Sequence, residues 1–102
     1  MYYNKDMKKL DEVIESLKEL EPELADKYKV KSLAVFGSFA RNQQVENSDI
    51  DILVEFSGPV GFEFFRLQRF IEEKLGIKVD LVTKDAIKPA IEKNILRDLV
   101  RV

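Results

Sequence analysis

A chain of 102 residues with 45% hydrophobic side chains has the size of one globular domain, with enough apolar surface for one core and no room for a second. Its 17 basic and 19 acidic residues leave a formal net charge of −2, so the molecule as a whole offers nucleic acid no general attraction. Cysteine, histidine and tryptophan are absent, which excludes disulfides, zinc–thiolate sites, thiol nucleophiles and imidazole bases, and leaves any acid–base or metal chemistry to carboxylates.

The first residues, Met1-Tyr2-Tyr3-Asn4-Lys5-Asp6, lack the apolar core of a signal peptide, and no apolar run approaches the roughly 20 residues of a membrane span, so a soluble cytoplasmic protein is expected. Over residues 5–20, Leu10, Val13, Ile14, Leu17 and Leu20 recur at helical spacing with charges between them, which predicts an amphipathic helix. Pro22 suits the first position of a new short helix reaching about Tyr28, because proline has no amide hydrogen to leave unsatisfied there. Lys31-Ser32-Leu33-Ala34-Val35-Phe36 reads as a first strand entering a tight turn at Gly37, and residues 37–42 as the opening of a helical turn.

Ile50, Ile52, Val54 and Phe56 alternate with Asp49, Asp51, Leu53 and Glu55, which predicts a strand with one apolar face and an acidic end. Ser57-Gly58-Pro59 breaks it, and Phe62, Phe65, Leu67, Phe70, Ile71 and Leu75 describe a long helix stopped by Gly76. Residues 77–83 read as a third strand. After Asp85 a final helix carries Ile87, Ile91, Ile95 and Leu99, with Pro89 near its start. The apolar terminus Leu99-Val100-Arg101-Val102 either docks on the sheet or serves an interface. Tyr2, Tyr3 and the apolar residues from Phe62 to Phe65 are candidates for partner contact, although most of these phenylalanines are expected in the core.

Residues two apart on a strand project from one face with Cα atoms about 6.6 Å apart, so Asp49 and Asp51 can address one metal centre from the same side. Asp80, flanked by Val79 and Leu81 on the next strand, adds a third carboxylate. Three acids without histidine suit a hard, oxygen-seeking ion, Mg²⁺ or Mn²⁺ rather than zinc. A pair of such ions, about 3.5–4 Å apart, can activate an attacking oxygen and hold a triphosphate. An Asp-x-Asp pair alone is common by chance, but all three acids here sit in apolar strand sequence, where an unpaired carboxylate is costly. Gly37 permits the close backbone approach of a phosphate-binding turn, Ser38 adds a hydroxyl, and Arg41 can set its guanidinium against a phosphate or an acid of the site. Read alone, that segment is a strand-ending glycine and a helix-capping serine; only its combination with the aspartates makes it a site.

Gly37-Ser38-Phe39-Ala40-Arg41, Ser48-Asp49-Ile50-Asp51-Ile52-Leu53-Val54 and Val79-Asp80-Leu81-Val82 together resemble the DNA polymerase beta-like nucleotidyltransferase superfamily, most closely its minimal nucleotidyltransferases encoded beside HEPN-domain partners. The resemblance extends over nearly the whole chain. It implies an α/β (α+β) nucleotidyltransferase fold in residues 1–102, with a small mixed sheet and helices packed mainly on one face. It further implies Asp49 and Asp51 as catalytic metal ligands, Asp80 as the third carboxylate, Gly37 and Ser38 at the triphosphate, and ATP as substrate. Minimal members act as antitoxins that transfer AMP from ATP to a tyrosine of a HEPN ribonuclease toxin. The carry-over is therefore a Mg²⁺-dependent protein adenylyltransferase, with the adjacent-gene HEPN toxin as its partner in a hetero-oligomer and no direct nucleic-acid binding. Neutralisation by binding alone and nucleotidyl transfer to a small hydroxylated molecule are the alternatives. One departure stands out: Asn42 follows the arginine where family members often have glycine, and asparagine tolerates the left-handed conformation better than most residues.

Overall fold

A computed structural model describes residues 9–45 and 47–102. Helix α1 (Leu10–Tyr28) leads into strand β1 (Val30–Phe36), and the short helix α2 (Gly37–Ala40) follows directly. A loop then reaches β2 (Ile50–Phe56), from which α3 (Glu63–Leu75) crosses over to β3 (Val79–Thr83). After a 3₁₀ turn at Lys84–Ala86, α4 (Pro89–Arg97) delivers the chain to β4 (Val100–Arg101).

The sheet has the order β3-β2-β1-β4. Strand β1 runs antiparallel to both of its neighbours, while β2 and β3 are parallel, so the sheet is mixed. Alternation along the strands sorts the side chains by face. Leu33 and Val35 of β1, Ile50, Ile52 and Val54 of β2, and Val79 and Leu81 of β3 are buried with Val13, Leu17 and Leu24 of α1 and Leu67, Ile71 and Leu75 of α3. Helices α1 and α3 thus cover one face. The opposite face carries Asp51 and Leu53 in register with Asp80 and Val82, and this is where chemistry becomes available.

Pro22 does not start a new helix; it lies inside the continuous α1. An interior proline removes one backbone hydrogen bond and crowds the preceding turn. Here Pro22 and Lys18 are both exposed, so the carbonyl deprived of its donor can be hydrated, while Leu17 and Leu24, both fully buried, hold the helix to the sheet on either side. Tertiary packing therefore overrides the local break. Pro22→Ala is expected to stabilise the fold by about 1–2 kcal/mol, less than the full helix-interior penalty because alanine also frees the unfolded chain; thermal unfolding measures it.

Other boundaries also differ from those the sequence predicts. Residues 5–8 of the first expected helix, and Tyr2 and Tyr3, lie outside the described residues. The third strand begins at Val79 rather than residue 77, because Gly76 caps α3 in the left-handed conformation, φ 69°, and the chain must first turn back to the sheet. The last helix ends at Arg97, leaving Leu99 outside it, and the apolar terminus docks on the sheet as β4, with Ala34 opposite Arg101 and Val35 opposite Val100. Phe62 and Phe65 are 79% and 68% exposed and so are not core residues, whereas Phe64 and Phe70 pack against the core.

Candidate active site

Strand β1 ends where Gly37 takes φ +74°, a backbone state that side-chain-bearing residues rarely adopt. The turn that follows is closed by backbone hydrogen bonds from Arg41 to Gly37 (3.2 Å), from Asn42 to Phe39 (3.2 Å) and from Gln43 to Ser38 (2.8 Å). Phe39, only 3% exposed, pins the turn to the core, and Ser38 is half-buried. Asn42 sits at φ 56°, in the left-handed conformation that asparagine tolerates better than most residues.

Gly37 is needed for a second reason. A Cβ at this position would overlap Oδ2 of Asp51, whose carboxylate lies against the bare backbone of the turn. Register does the rest: Asp51 of β2 stands directly opposite Asp80 of β3, on the face away from α1 and α3, so a protonated Asp51 can donate a hydrogen bond to the Asp80 carboxylate. Asp49 is exposed and lies just before the first residue of β2, so the ladder does not fix it as it fixes Asp51. The loop leading to it is held by Ser48, whose hydroxyl accepts the Val45 N–H at 2.8 Å.

The Asp51 carboxyl is pushed up to about 6, first by burial, then by the charges of Asp80 and Asp49 and by the hydrogen bond to Asp80; Arg41 pulls in the opposite direction. Both of the other expected acids therefore act on Asp51. Among the described residues, no three acidic side chains stand close enough to enclose a metal ion as they are. The donor chemistry nonetheless fits a hard divalent cation: two adjoining carboxylates with a third at the mouth of β2 supply only oxygen, and their mutual repulsion is what a cation would relieve. Asp51 and Asp80 would hold it, with Asp49 completing the set.

Arg41 does not contact these acids directly. Its Nη1 donates to Asp98 Oδ2 at 2.9 Å and its Nε donates to Gln43 Oε1 at 3.0 Å. Asp98 is the C-terminal cap residue of α4, so this pair ties the turn after β1 to the segment that becomes β4. Sequence reasoning missed Asp98, since nothing local signals a partner 57 residues away. The pair is partly exposed, so a double-mutant cycle of Arg41→Ala with Asp98→Ala is expected to give a coupling of no more than about 1 kcal/mol in unfolding free energy.

A family model described as nucleotidyltransferase domain matches residues 17–102. A Methanocaldococcus jannaschii protein named as a candidate protein adenylyltransferase is 53% identical over 98 residues, covering 94% of this chain and 100% of that protein. The protein adenylyltransferase MntA of Thermococcus cleftensis is 39% identical over 94 residues, covering 91% of this chain and 95% of its own. Among solved structures, one described as a candidate minimal nucleotidyltransferase superposes with a TM-score of 0.77 at 29% identity, covering 94% of this chain and 98% of that one. A tri-AMPylated Shewanella oneidensis HEPN toxin in complex with its MNT antitoxin superposes with a TM-score of 0.56 at 19% identity, covering 90% of this chain and 66% of that one, which shows a shared fold.

Proposed function

We propose that this chain, which belongs to the nucleotidyltransferase domain family and is a nucleotidyltransferase, transfers AMP from ATP to a tyrosine of a HEPN-domain toxin encoded by an adjacent gene, in the presence of Mg²⁺. The observation that carries the reading is the in-register Asp51–Asp80 pair lying against the Gly37 turn. A polyanion must be gripped while its charge is neutralised, and here the two parts adjoin. Support for the acceptor comes from relatives named protein adenylyltransferase and from the HEPN toxin–antitoxin complex that shares the fold.

In this mechanism Gly37 and Ser38 receive the triphosphate, with Arg41 at the edge of the turn. Asp49, Asp51 and Asp80 would hold one or two divalent cations, Mg²⁺ or Mn²⁺, which when bound would supply charge neutralisation at the phosphates. The tyrosine oxygen attacks the α-phosphorus, the new oxygen–phosphorus bond forms as the bond to the β-phosphate breaks, and diphosphate departs. Asp80, exposed beside Asp51, would take the phenolic proton from an incoming acceptor. Hetero-oligomer formation with the toxin follows, because the acceptor must be presented by its own protein. The reaction belongs in the cytoplasm, where ATP and the toxin meet. Among the described residues no helix is long and apolar enough to cross a membrane.

The test is incubation of the chain with labelled ATP, Mg²⁺ and the adjacent-gene HEPN protein. Label is expected on the HEPN protein, confined to tyrosine, and absent with EDTA. Equal labelling by an Asp49→Ala/Asp51→Ala variant would refute the reading. Persistent suppression of toxicity by that variant would instead favour neutralisation by binding alone.

A further inference from the structure

Helix α3 carries two stripes. Phe64, Leu67, Ile71 and Leu75 turn inward, whereas Phe62, just before the helix, and Phe65, Arg66 and Arg69 recur at i, i+3, i+4 and i+7 and line a shallow concavity of about 390 Å³. The two outer phenylalanines are among the most exposed large apolar side chains of the described residues. Burying such a ring is favourable in proportion to the apolar area taken from water, so the fold leaves that contribution unused. The Phe65 ring meets Phe64 edge-on, with centroids 5.5 Å apart and planes at 86°, and Phe64 in turn faces Phe56 at 6.3 Å. An exposed ring braced this way is partly ordered before anything binds.

The charges point to what binds. Among the described residues the side chains of Arg66 and Arg69 make no hydrogen bond or ion pair. Glu63 feels the field of Arg66, but its carboxylate is already engaged by the Gly61 N–H at 2.9 Å and by Lys29 at 3.8 Å. A positive, aromatic stripe thus stands on a chain whose formal net charge is −2. Aromatic side chains and arginine are what protein interfaces concentrate at their centres. A two-fold pairing of this stripe with a second copy would press four guanidinium groups together, and two arginines on an acidic chain make a poor nucleic-acid footprint.

We infer that the Phe62–Phe65–Arg66–Arg69 stripe is the docking surface for the protein acceptor, matched by a segment of that partner that sets carboxylates around an apolar strip. The inference rests on the proposed transfer to a protein. The stripe lies on the helix-covered side of the sheet and begins beyond the Phe56 end of β2, five residues or about 17 Å along the strand from Asp51, whose carboxylate is on the other face; a partner held there leaves the carboxylate site open and reaches it around the end of the sheet. Docking there would turn delivery of the acceptor tyrosine into an intramolecular step.

The experiment uses the adjacent-gene HEPN protein as probe, with Phe62→Ala/Phe65→Ala and Arg66→Glu/Arg69→Glu variants of the full chain. Calorimetric affinity for the probe is expected to fall at least ~100-fold for the first and ~10-fold for the second. KM for the protein acceptor should rise, with kcat at saturation, ATP affinity and the thermal midpoint unchanged. Affinity equal to that of the unaltered chain in both variants would overturn the docking surface. So would loss only of self-association or of RNA binding, which would assign the stripe to a second copy or to nucleic acid. If the unaltered chain binds ATP but not the HEPN protein, the transfer reading itself fails, a result distinct from a loss confined to the variants.

Discussion

Asp51→Asn is expected to lower AMP transfer on the order of 10³-fold while making the metal-free protein more stable at neutral pH. Both effects have one origin. Burial and the neighbouring charges of Asp80 and Asp49 raise the Asp51 carboxyl from 3.8 to about 6, so the fold holds its proton more tightly than the unfolded chain does. The stabilising contribution of protonated Asp51 is complete below about pH 4 and is lost as pH rises through about 6. At pH 7 the fold carries a charge that it disfavours. Fully desolvated, a rise of that size would correspond to roughly 3 kcal/mol, but the carboxyl is only half-buried, so solvent screening reduces the expected gain from asparagine to about 1–2 kcal/mol. Unfolding curves at pH 4 and pH 7 without divalent ions should therefore separate the variant from the unaltered chain only at the higher pH. Saturating Mg²⁺ should narrow the gap by stabilising the unaltered chain. A variant that loses activity and is destabilised at both pH values would instead mark Asp51 as a structural residue.

Gly37→Ala should damage both the fold and the site. The added Cβ must adopt φ +74°, costing roughly 1–2 kcal/mol, and must displace the Asp51 carboxylate that occupies its space. A combined loss of about 2–3 kcal/mol corresponds to a fall in thermal midpoint of about 10–20 °C for a domain of this size. AMP transfer at a temperature where the variant remains folded should drop about 10²-fold, because the shifted carboxylate no longer adjoins the turn. The two contributions can be separated. In an Asp51→Ala background the steric part vanishes, so the stability cost of Gly37→Ala should shrink by about 1 kcal/mol or more, leaving the backbone contribution. An unchanged cost in that background would mean that contact with Asp51 is not what requires glycine.

Much of this architecture was legible because short, strong local patterns coincide with it. The alternation of Ile50, Ile52 and Val54 against Asp51 and Leu53 assigned the two faces of β2, and burial follows that alternation. Gly76 marked the end of α3 because a left-handed cap favours glycine. Pro22 misled for the converse reason: its local signal is a break, and only the packing of Leu17 and Leu24 against the sheet shows why the helix continues. The outer stripe of α3 was left open between partner contact and core. Phe62 and Phe65 look like core residues by composition, and only the direction in which α3 presents its inner face reveals that they stand in water.

By itself the sequence determined the chemistry available: carboxylates without histidine or cysteine, a glycine turn after the first strand, and an acidic pair at the start of the second. These depend on residue identity and on spacings of two or three, which the chain states directly. Tertiary structure alone decided that Asp80, expected from the sequence as the third carboxylate, stands directly opposite Asp51, that Gly37 yields its space to the Asp51 carboxylate, and that Arg41 is held by Asp98. Each is a contact between residues distant in sequence, set by strand register and helix packing. Local pattern names the groups; the sheet decides which of them meet.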